Sequence, residues 1–284
     1  MTAINGAAAA VTGAASGIGR ALALELAARG CDLALADRDE AGLKSVAAEI
    51  AKGGTKSGAR KVTVHRVDVG VPEEIAGFAT AAISAHPGLN IVVNNAGVAL
   101  LGGFHEIDQA QMDWLMNINF WGVVHSCRAF LPHLAQQREA HIVNLSSIFG
   151  IIARPGQTAY CAAKFAVRGF SESLRHELAT ANSPVKLSVV HPGGVATNIV
   201  RNARTGSGMT DNGRRAQAIE RFESAVRTTP AAAALRIVRG IENNHPRILI
   251  GNDARFIDLL QRLRPTTYWA VLARQIGWMT RGKS

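Results

Sequence analysis

Cysteine and aromatic residues are both scarce in this chain of 284 residues. Phe, Trp and Tyr together make up 5% of it, and the three cysteines, Cys31, Cys127 and Cys161, lie far apart. Three dispersed thiols build neither a disulfide framework nor a metal cluster, and they suit a reducing, cytoplasmic setting. No apolar run approaches the roughly 18 residues of a membrane-spanning helix. The opening MTAINGAAAAVTG lacks a basic n-region and a cleavage-site pattern, so no signal peptide is expected. His105, His125, His133, His141, His176 and His191 are dispersed without ligand spacing. They read as structural or surface groups, and no metal is expected.

Few aromatics in a chain that is 48% hydrophobic leave a core of Ala, Val, Ile and Leu. That mix suits a parallel sheet covered by helices on both faces. The net charge of +10 is unevenly spread. Residues 1–199 hold 16 Lys/Arg against 15 Asp/Glu, whereas residues 200–284 hold 15 against 6. The basic end carries no recognisable nucleic-acid motif, so no nucleic-acid partner is expected. Its charge suits an anionic surface, an anionic substrate or solubility.

Apolar runs at 7–11, 32–36, 61–67, 90–93, 141–145 and 186–190 read as buried strands, with a seventh at Arg247–Ile250. Between them, 17–29, 40–52, 73–85, 111–136 and 158–181 have helical periodicity. This alternation predicts an α/β fold: a doubly wound, Rossmann-like parallel sheet of about seven strands in a single domain. The domain is expected over residues 1–253, followed by a basic, amphipathic helical extension over 254–284. The stretch NARTGSGMTDNGRRA is rich in Gly, Ser, Thr, Asn and Arg. Too little chain follows for a second core, so a substrate lid over about 198–228 is preferred to a linker.

VTGAASGIGRA joins the first strand to the first helix. Its glycines, Gly13, Gly17 and Gly19, make a tight turn and a bare helix N-terminus of the kind that receives a pyrophosphate. Asp37 ends the second strand, where an acid accepts hydrogen bonds from a ribose and repels a 2′-phosphate. Arg38 follows it and is placed to pair with that phosphate, so the cofactor is read as NAD with NADP as the alternative. Tyr160 and Lys164 share a helix face at i, i+4 spacing. A neighbouring ammonium stabilises a phenolate and so is expected to draw the tyrosine's pKa down from about 10.

The Gly-x-x-x-Gly-x-Gly turn, NNAG at 94–97 and Tyr-x-x-x-Lys at 160–164 together resemble the short-chain dehydrogenase/reductases, over residues 6–253. The resemblance implies a hydride-transferring oxidoreductase with Asn119, Ser147, Tyr160 and Lys164 as its catalytic group. Asn117 and Ser146 are the less favoured neighbours. Tyr160 would act as general acid/base, Ser147 would bind the substrate oxygen, and Lys164 would hold the nicotinamide ribose. Asn119 would kink its helix and hold a water. The implied cofactor contacts are Gly13, Ser16, Gly17, Ile18, Gly19, Asp37, Arg38, Asp68 and Val69. They continue with Asn95, Ala96, Gly97, Tyr160, Lys164, Pro192, Gly193, Val195 and Thr197, and Asn94 belongs to the turn that holds the central sheet.

The substrate side reads as apolar, with Val98, Leu100, Leu101, Ser147, Ile148, Phe149, Ile151, Ile152, Tyr160, Val195 and Ile199 and a single charge, Arg154, read as turned to solvent. A hydrophobic secondary alcohol or ketone, steroid-, retinoid- or lipid-like, is expected. The alternatives are an NADP-dependent reductase of small carbonyls and a non-catalytic dinucleotide-binding regulator. The resemblance also implies a homodimer or homotetramer. In the extension, Phe256, Leu260, Leu263, Tyr268, Leu272, Ile276 and Met279 fall at helical spacing among Arg255, Arg262, Arg264, Arg274, Arg281, Lys283, Trp269 and Trp278. Pro265 is expected to divide it into two helices. They are read as packing on the body or on a partner subunit, with peripheral membrane contact as the alternative.

Overall fold

A computed structural model describes residues 1–53, 61–209 and 212–281 of the chain. Its strands are β1 (Ala8–Thr12), β2 (Asp32–Asp37), β3 (Val62–Arg66), β4 (Leu89–Asn94), β5 (Leu100–Leu101), β6 (Ala140–Leu145), β7 (Val185–Pro192), β8 (Arg204–Thr205) and β9 (Arg247–Ile250). The helices are α1 (Gly17–Ala28), α2 (Glu40–Lys52), α3 (Pro72–Ala85), α4 (Gln109–Met116), α5 (Gly122–Leu134), α6 (Thr158–Thr180), α7 (Asn212–Ala225), α8 (Pro230–Glu242), α9 (Asn252–Leu263) and α10 (Tyr268–Arg281).

Seven strands form one parallel sheet in the order β3-β2-β1-β4-β6-β7-β9. The winding reverses between β1 and β4, and such a switch point opens a crevice beyond the strands' carboxyl ends. The sheet matches the seven expected strands.

Both faces of the sheet are buried, which is why its strands read as continuous apolar runs. Val11, Leu33, Leu35 and Val93 face a layer containing Leu22 and Leu26 of α1, Leu43 of α2 and Ile237 of α8. The opposite face carries Ala8, Ala10, Ala34 and Ala36 and meets Phe78 of α3 and Phe130 of α5. Small side chains on the strands leave room for these two rings, which meet edge-on with centroids 5.6 Å apart. Leu22 and Leu26 are fully buried, and truncating either to Ala should cost about 2–5 kcal/mol.

The helix expected over 111–136 is two helices, α4 and α5, joined by a π-helical stretch, Asn117–Trp121. The Asn119 amide supplies a reason: its Oδ1 accepts from Val98 N at 2.8 Å and its Nδ2 donates to Val98 O at 2.9 Å. That anchor lies outside the helix, where no helical periodicity registers it.

After the stretch read as a lid, α8 packs on α1 and β9 pairs with β7, so the chain returns to the same core. The lid region itself contains β8, paired with β5 in a two-stranded parallel ribbon, and α7. Arg214 of α7 grips both oxygens of the Glu106 carboxylate. With Arg214 first and the Gly103 N–H second, the Glu106 pKa is held down at about 2. Thr210 and Asp211 lie outside the described residues.

Pro265 falls between α9 and α10, as expected. Asp258 of α9 is ion-paired with Arg247 at 2.9 Å and Arg262 at 3.0 Å, while Phe256, Leu259 and Leu263 face outward. The Tyr268 hydroxyl accepts a hydrogen bond from Ala153 N at 2.9 Å, joining the extension to the body. The side chains of Ile276, Trp278, Met279 and Arg281, and all of Lys283, lie outside the described residues. Among the described residues no helix is long and apolar enough to cross a membrane, and no group of three or more His, Cys, Asp or Glu could hold a metal ion.

Candidate active site

A cleft of about 680 Å³ runs along the carboxyl ends of the central strands, and its two ends differ in character. At one end the chain leaves β1 through Gly13, at φ +66°, where a side chain would come within 2.7 Å of Asn95 Nδ2. Asn95 holds this turn by donating to Thr12 O at 2.9 Å and Gly13 O at 3.1 Å. Thr12 in turn accepts the backbone N–H groups of Asn95 and Ala96 through its hydroxyl.

Helix α1 begins at Ser16 with no side-chain cap hydrogen bond, so its first N–H groups are not taken up by a capping side chain. Thr197, from the loop after β7, covers the turn: its Cγ2 lies 3.2 Å from where a Gly17 side chain would begin. Bare N–H groups, a helix dipole and room for close backbone approach fit the pyrophosphate of a dinucleotide.

Asp37 also lines this end. Its two carboxylate oxygens accept from Ala15 N and Asp39 N, each at 3.0 Å, which fixes them beside the glycine turn. Arg38 lines the cleft next to it and is exposed. The cleft wall also includes Ser16, Ile18, Asp68, Val69, Ala96, Gly97, Pro192, Gly193 and Val195. Gly19 does not line it; it packs against the Gly13 backbone, where a Cβ would not fit.

At the other end, α6 presents Tyr160 and Lys164 to the end of β6. Ser147 starts a 3-10 turn, Ile148–Gly150, and accepts from Phe149 N at 3.1 Å. The turn packs tightly on α6 because Gly150 has no side chain: a Cβ there would sit 2.6 Å from Lys164 O. The two serines have separate uses. Ser146 donates to Lys164 O at 2.8 Å, whereas Ser147 faces the phenol.

The Lys164 ammonium donates to Leu145 O at 2.9 Å and lies 5.7 Å from the centroid of the Tyr160 ring. Gly97 sits between this ammonium and Asn119: a side chain built there would begin 3.6 Å from Nζ and 3.2 Å from Asn119 Oδ1. Asn117 is engaged elsewhere, donating to Gly70 O at 2.7 Å.

The expected lowering of the tyrosine's pKa is corrected by this geometry. Desolvation dominates and pushes Tyr160 up to about 12, with the neighbouring Ser147 hydroxyl pulling the other way. Desolvation also brings Lys164 down to about 8. The ammonium is directed at a carbonyl and a ring face, and the burial that brings the pair together disfavours both charged forms. In the protein alone, Tyr160 is a neutral phenol.

Other placements also differ from expectation. Asn119 is fully buried behind the cleft wall, tied to the Val98 backbone. Ile152, Leu100 and Ile151 are buried in the core and do not line the cleft, whereas Val98, Leu101, Ile148, Phe149 and Ile199 do. Arg154 is exposed, as read, but it also borders the cleft, with its guanidinium carbon 5.7 Å from the Phe149 ring centroid.

Of the two readings, structural or surface, His191 takes the first. It is fully buried and donates from Nδ1 to Ser147 O at 2.9 Å, so it fixes the serine's backbone. Its place at the end of a buried strand, one residue before Pro-Gly-Gly, was the available signal. Asn94 links to Asn144 and Ser171 in a buried amide–hydroxyl chain that braces β4 and β6 against α6.

Fold and site thus define a dinucleotide-binding α/β oxidoreductase. The sequence model of the short chain dehydrogenase family matches residues 7–208, and the chain belongs to that family. It is 40% identical over 274 residues to SadH of Mycobacterium tuberculosis, named as an oxidoreductase, covering 96% of each chain. A short-chain dehydrogenase/reductase from Burkholderia phymatum, solved in complex with NAD, has a TM-score of 0.82 and 28% identity. That alignment covers 92% of this chain and 95% of the other. A metagenomic short-chain oxidoreductase in complex with NADP superposes with a TM-score of 0.68 at 27% identity, covering 88% and 98% of the two chains.

Proposed function

We propose that this protein transfers a hydride between NAD(H) and a hydrophobic secondary alcohol or ketone. The observation that carries the reading is a single cleft with an uncapped, glycine-lined helix start at one end and Ser147, Tyr160 and Lys164 at the other. When bound, the nicotinamide supplies the hydride chemistry. The chain's own residues hold the substrate and move the proton.

In reduction, Ser147 donates a hydrogen bond to the carbonyl oxygen and steadies the charge that develops there. Tyr160, protonated at neutral pH, gives its proton to the same oxygen. Lys164, held by Leu145 O, is placed for the nicotinamide ribose and to take part of the negative charge left on the phenol. Oxidation runs these steps in reverse and requires the phenolate, whose cost falls as positive charge gathers beside it. Asn119 acts behind this group as a positioning residue, through Val98. Asp37 supports NAD, since its fixed carboxylate meets the ribose and repels a 2′-phosphate. Arg38 keeps NADP as the second reading.

Trp121 and Phe165 are 46% and 39% exposed at the head of α5 and on α6, which supports assembly of copies through these helices. The test is turnover of a panel of apolar secondary alcohols and ketones, followed by the absorbance of reduced cofactor with NAD(H) and NADP(H) in parallel. Turnover of several members with NAD(H) is expected. Tight NADH binding without turnover of any member would favour the regulator reading instead.

A further inference from the structure

Resting on the hydride-transfer reading, we infer that the substrate carries an anionic end group, a carboxylate or a phosphate, received by Arg154 and Arg221 at the mouth of the cleft. Arg154 follows the turn that bears Ser147, and Arg221 comes from α7 of the lid; both line the substrate end of the cleft. The path from the reaction centre to them is short and apolar. The Phe149 ring stands edge-on to Tyr160 with centroids 6.3 Å apart, and the Arg154 guanidinium lies 5.7 Å beyond it.

What separates these two arginines from their neighbours is that, among the described residues, neither has an anionic partner. Arg201 pairs with Glu223, Arg214 with Glu106, and Arg215 donates to Arg201 O. Among the described residues neither Arg154 nor Arg221 has a carboxylate partner or a side-chain hydrogen bond. The acids that line the cleft lie elsewhere or are engaged. Asp37 and Asp68 end β2 and follow β3 on the adenosine side, and Asp253 accepts from Gly194 N at 2.7 Å.

The two guanidinium groups also act on each other. Desolvation first, and then the charge of Arg221, press Arg154 below its ordinary value. Two like charges brought together over an apolar floor are relieved by an anion between them, and guanidinium groups suit the flat, two-oxygen face of carboxylate or phosphate. Because one arginine belongs to the body and the other to the lid segment, such an anion would bridge the two and close α7 over the substrate.

Three matched compounds test this: the penultimate-carbon ketone of decanoic acid, its methyl ester, and the phosphate monoester of the corresponding oxo-alcohol. kcat/KM is measured for each with the parent protein and with the Arg154→Gln/Arg221→Gln double variant. The expected result is a preference for one or both anions over the ester of roughly ten- to hundredfold, falling toward one in the double variant and shrinking with added salt. Which anion leads separates the carboxylate source from the phosphate source. A parent that handles the ester as well as either anion overturns the inference, as does a preference that survives in the double variant. Calorimetric titration of the same ketones into protein saturated with NAD, which cannot reduce them, decides the point without turnover, because preferential binding of the anions supports the arginine site and indifference overturns it. Failure of the hydride-transfer reading looks different: neither anion nor ester then consumes reduced cofactor, whatever the titration shows.

Discussion

Replacing Tyr160 by Phe removes one oxygen and leaves the ring, and its effect follows from the protonation state. With its pKa pushed up to about 12, the phenol at neutral pH retains its proton in all but about one molecule in 10⁵. It is therefore a ready acid for ketone reduction, and its loss should cost about 10²–10⁴ in kcat, the range for a positioned general acid. That corresponds to roughly 3–5 kcal/mol on the barrier. Ser147 keeps its place through Phe149 N and His191, so KM should move far less than kcat. The glycine turn is untouched, so NADH affinity should stay level. The assay is steady-state consumption of NADH with an apolar ketone, beside a fluorescence titration of NADH binding. A variant with kcat within about threefold of the parent refutes the assignment, as does a loss traced wholly to weaker NADH binding. The oxidative direction adds a second check. A shift from 10.0 to about 12 sets about 3 kcal/mol against the phenolate, so alcohol oxidation should climb with pH through neutrality. It should level off at about pH 8, where Lys164 has lost half of its charge.

Two further outcomes are expected. His141 and His191 are held at about 4, first of all by burial. The unfolded chain binds these protons near pH 6.5 and the folded one only near 4, so stability should fall as pH drops through that window, by up to roughly 3 kcal/mol per histidine. Urea midpoints measured between pH 7 and 4.5 read this directly, and midpoints that stay level would count against it. Asp37→Ser should raise the kcat/KM ratio of NADP to NAD by about tenfold or more, since a 2′-phosphate then meets Arg38 without a carboxylate beside it. An unchanged ratio would show that Asp37 does not set the preference.

Much of this protein can be read from local pattern, because local pattern is where its physics lies. A strand buried on both faces must be apolar throughout, so β1, β4, β6 and β7 stand out with no knowledge of their neighbours. A turn requiring positive φ at Gly13 and close approach at Gly17 announces itself as spaced glycine. The break between α4 and α5 is different in kind. It accompanies one amide, Asn119, reaching a backbone 21 residues earlier in the chain; the family resemblance pointed to a kink at this residue, but helical periodicity carries no trace of that bond. His191 was read only as structural or surface for the same reason, since only the sheet brings it beneath Ser147 and decides for the structural role. Arg154 and Arg221 are 67 positions apart in the sequence and meet at one cleft through the packing of the lid segment on the body.

The spacing of Tyr160 and Lys164 shows the boundary most sharply. Four residues on a helix guarantee that the two side chains share a face, and this much was legible. Their charge states depend on how much water the site excludes, which is a property of the whole cleft. Ser146 on Lys164 O, Gly150 against the same backbone and Asn119 behind Gly97 together pack the pair closely enough that burial outweighs mutual support. The resting site therefore favours a neutral phenol and weakens its own ammonium. Positive charge brought in beside the phenol reverses that balance, whereas a neutral ring does not. If Tyr160 carries the proton as proposed, the preference between proton donation and proton acceptance there would follow the charge on the docked nicotinamide, and the helix spacing would serve to keep that switch within reach of the substrate oxygen.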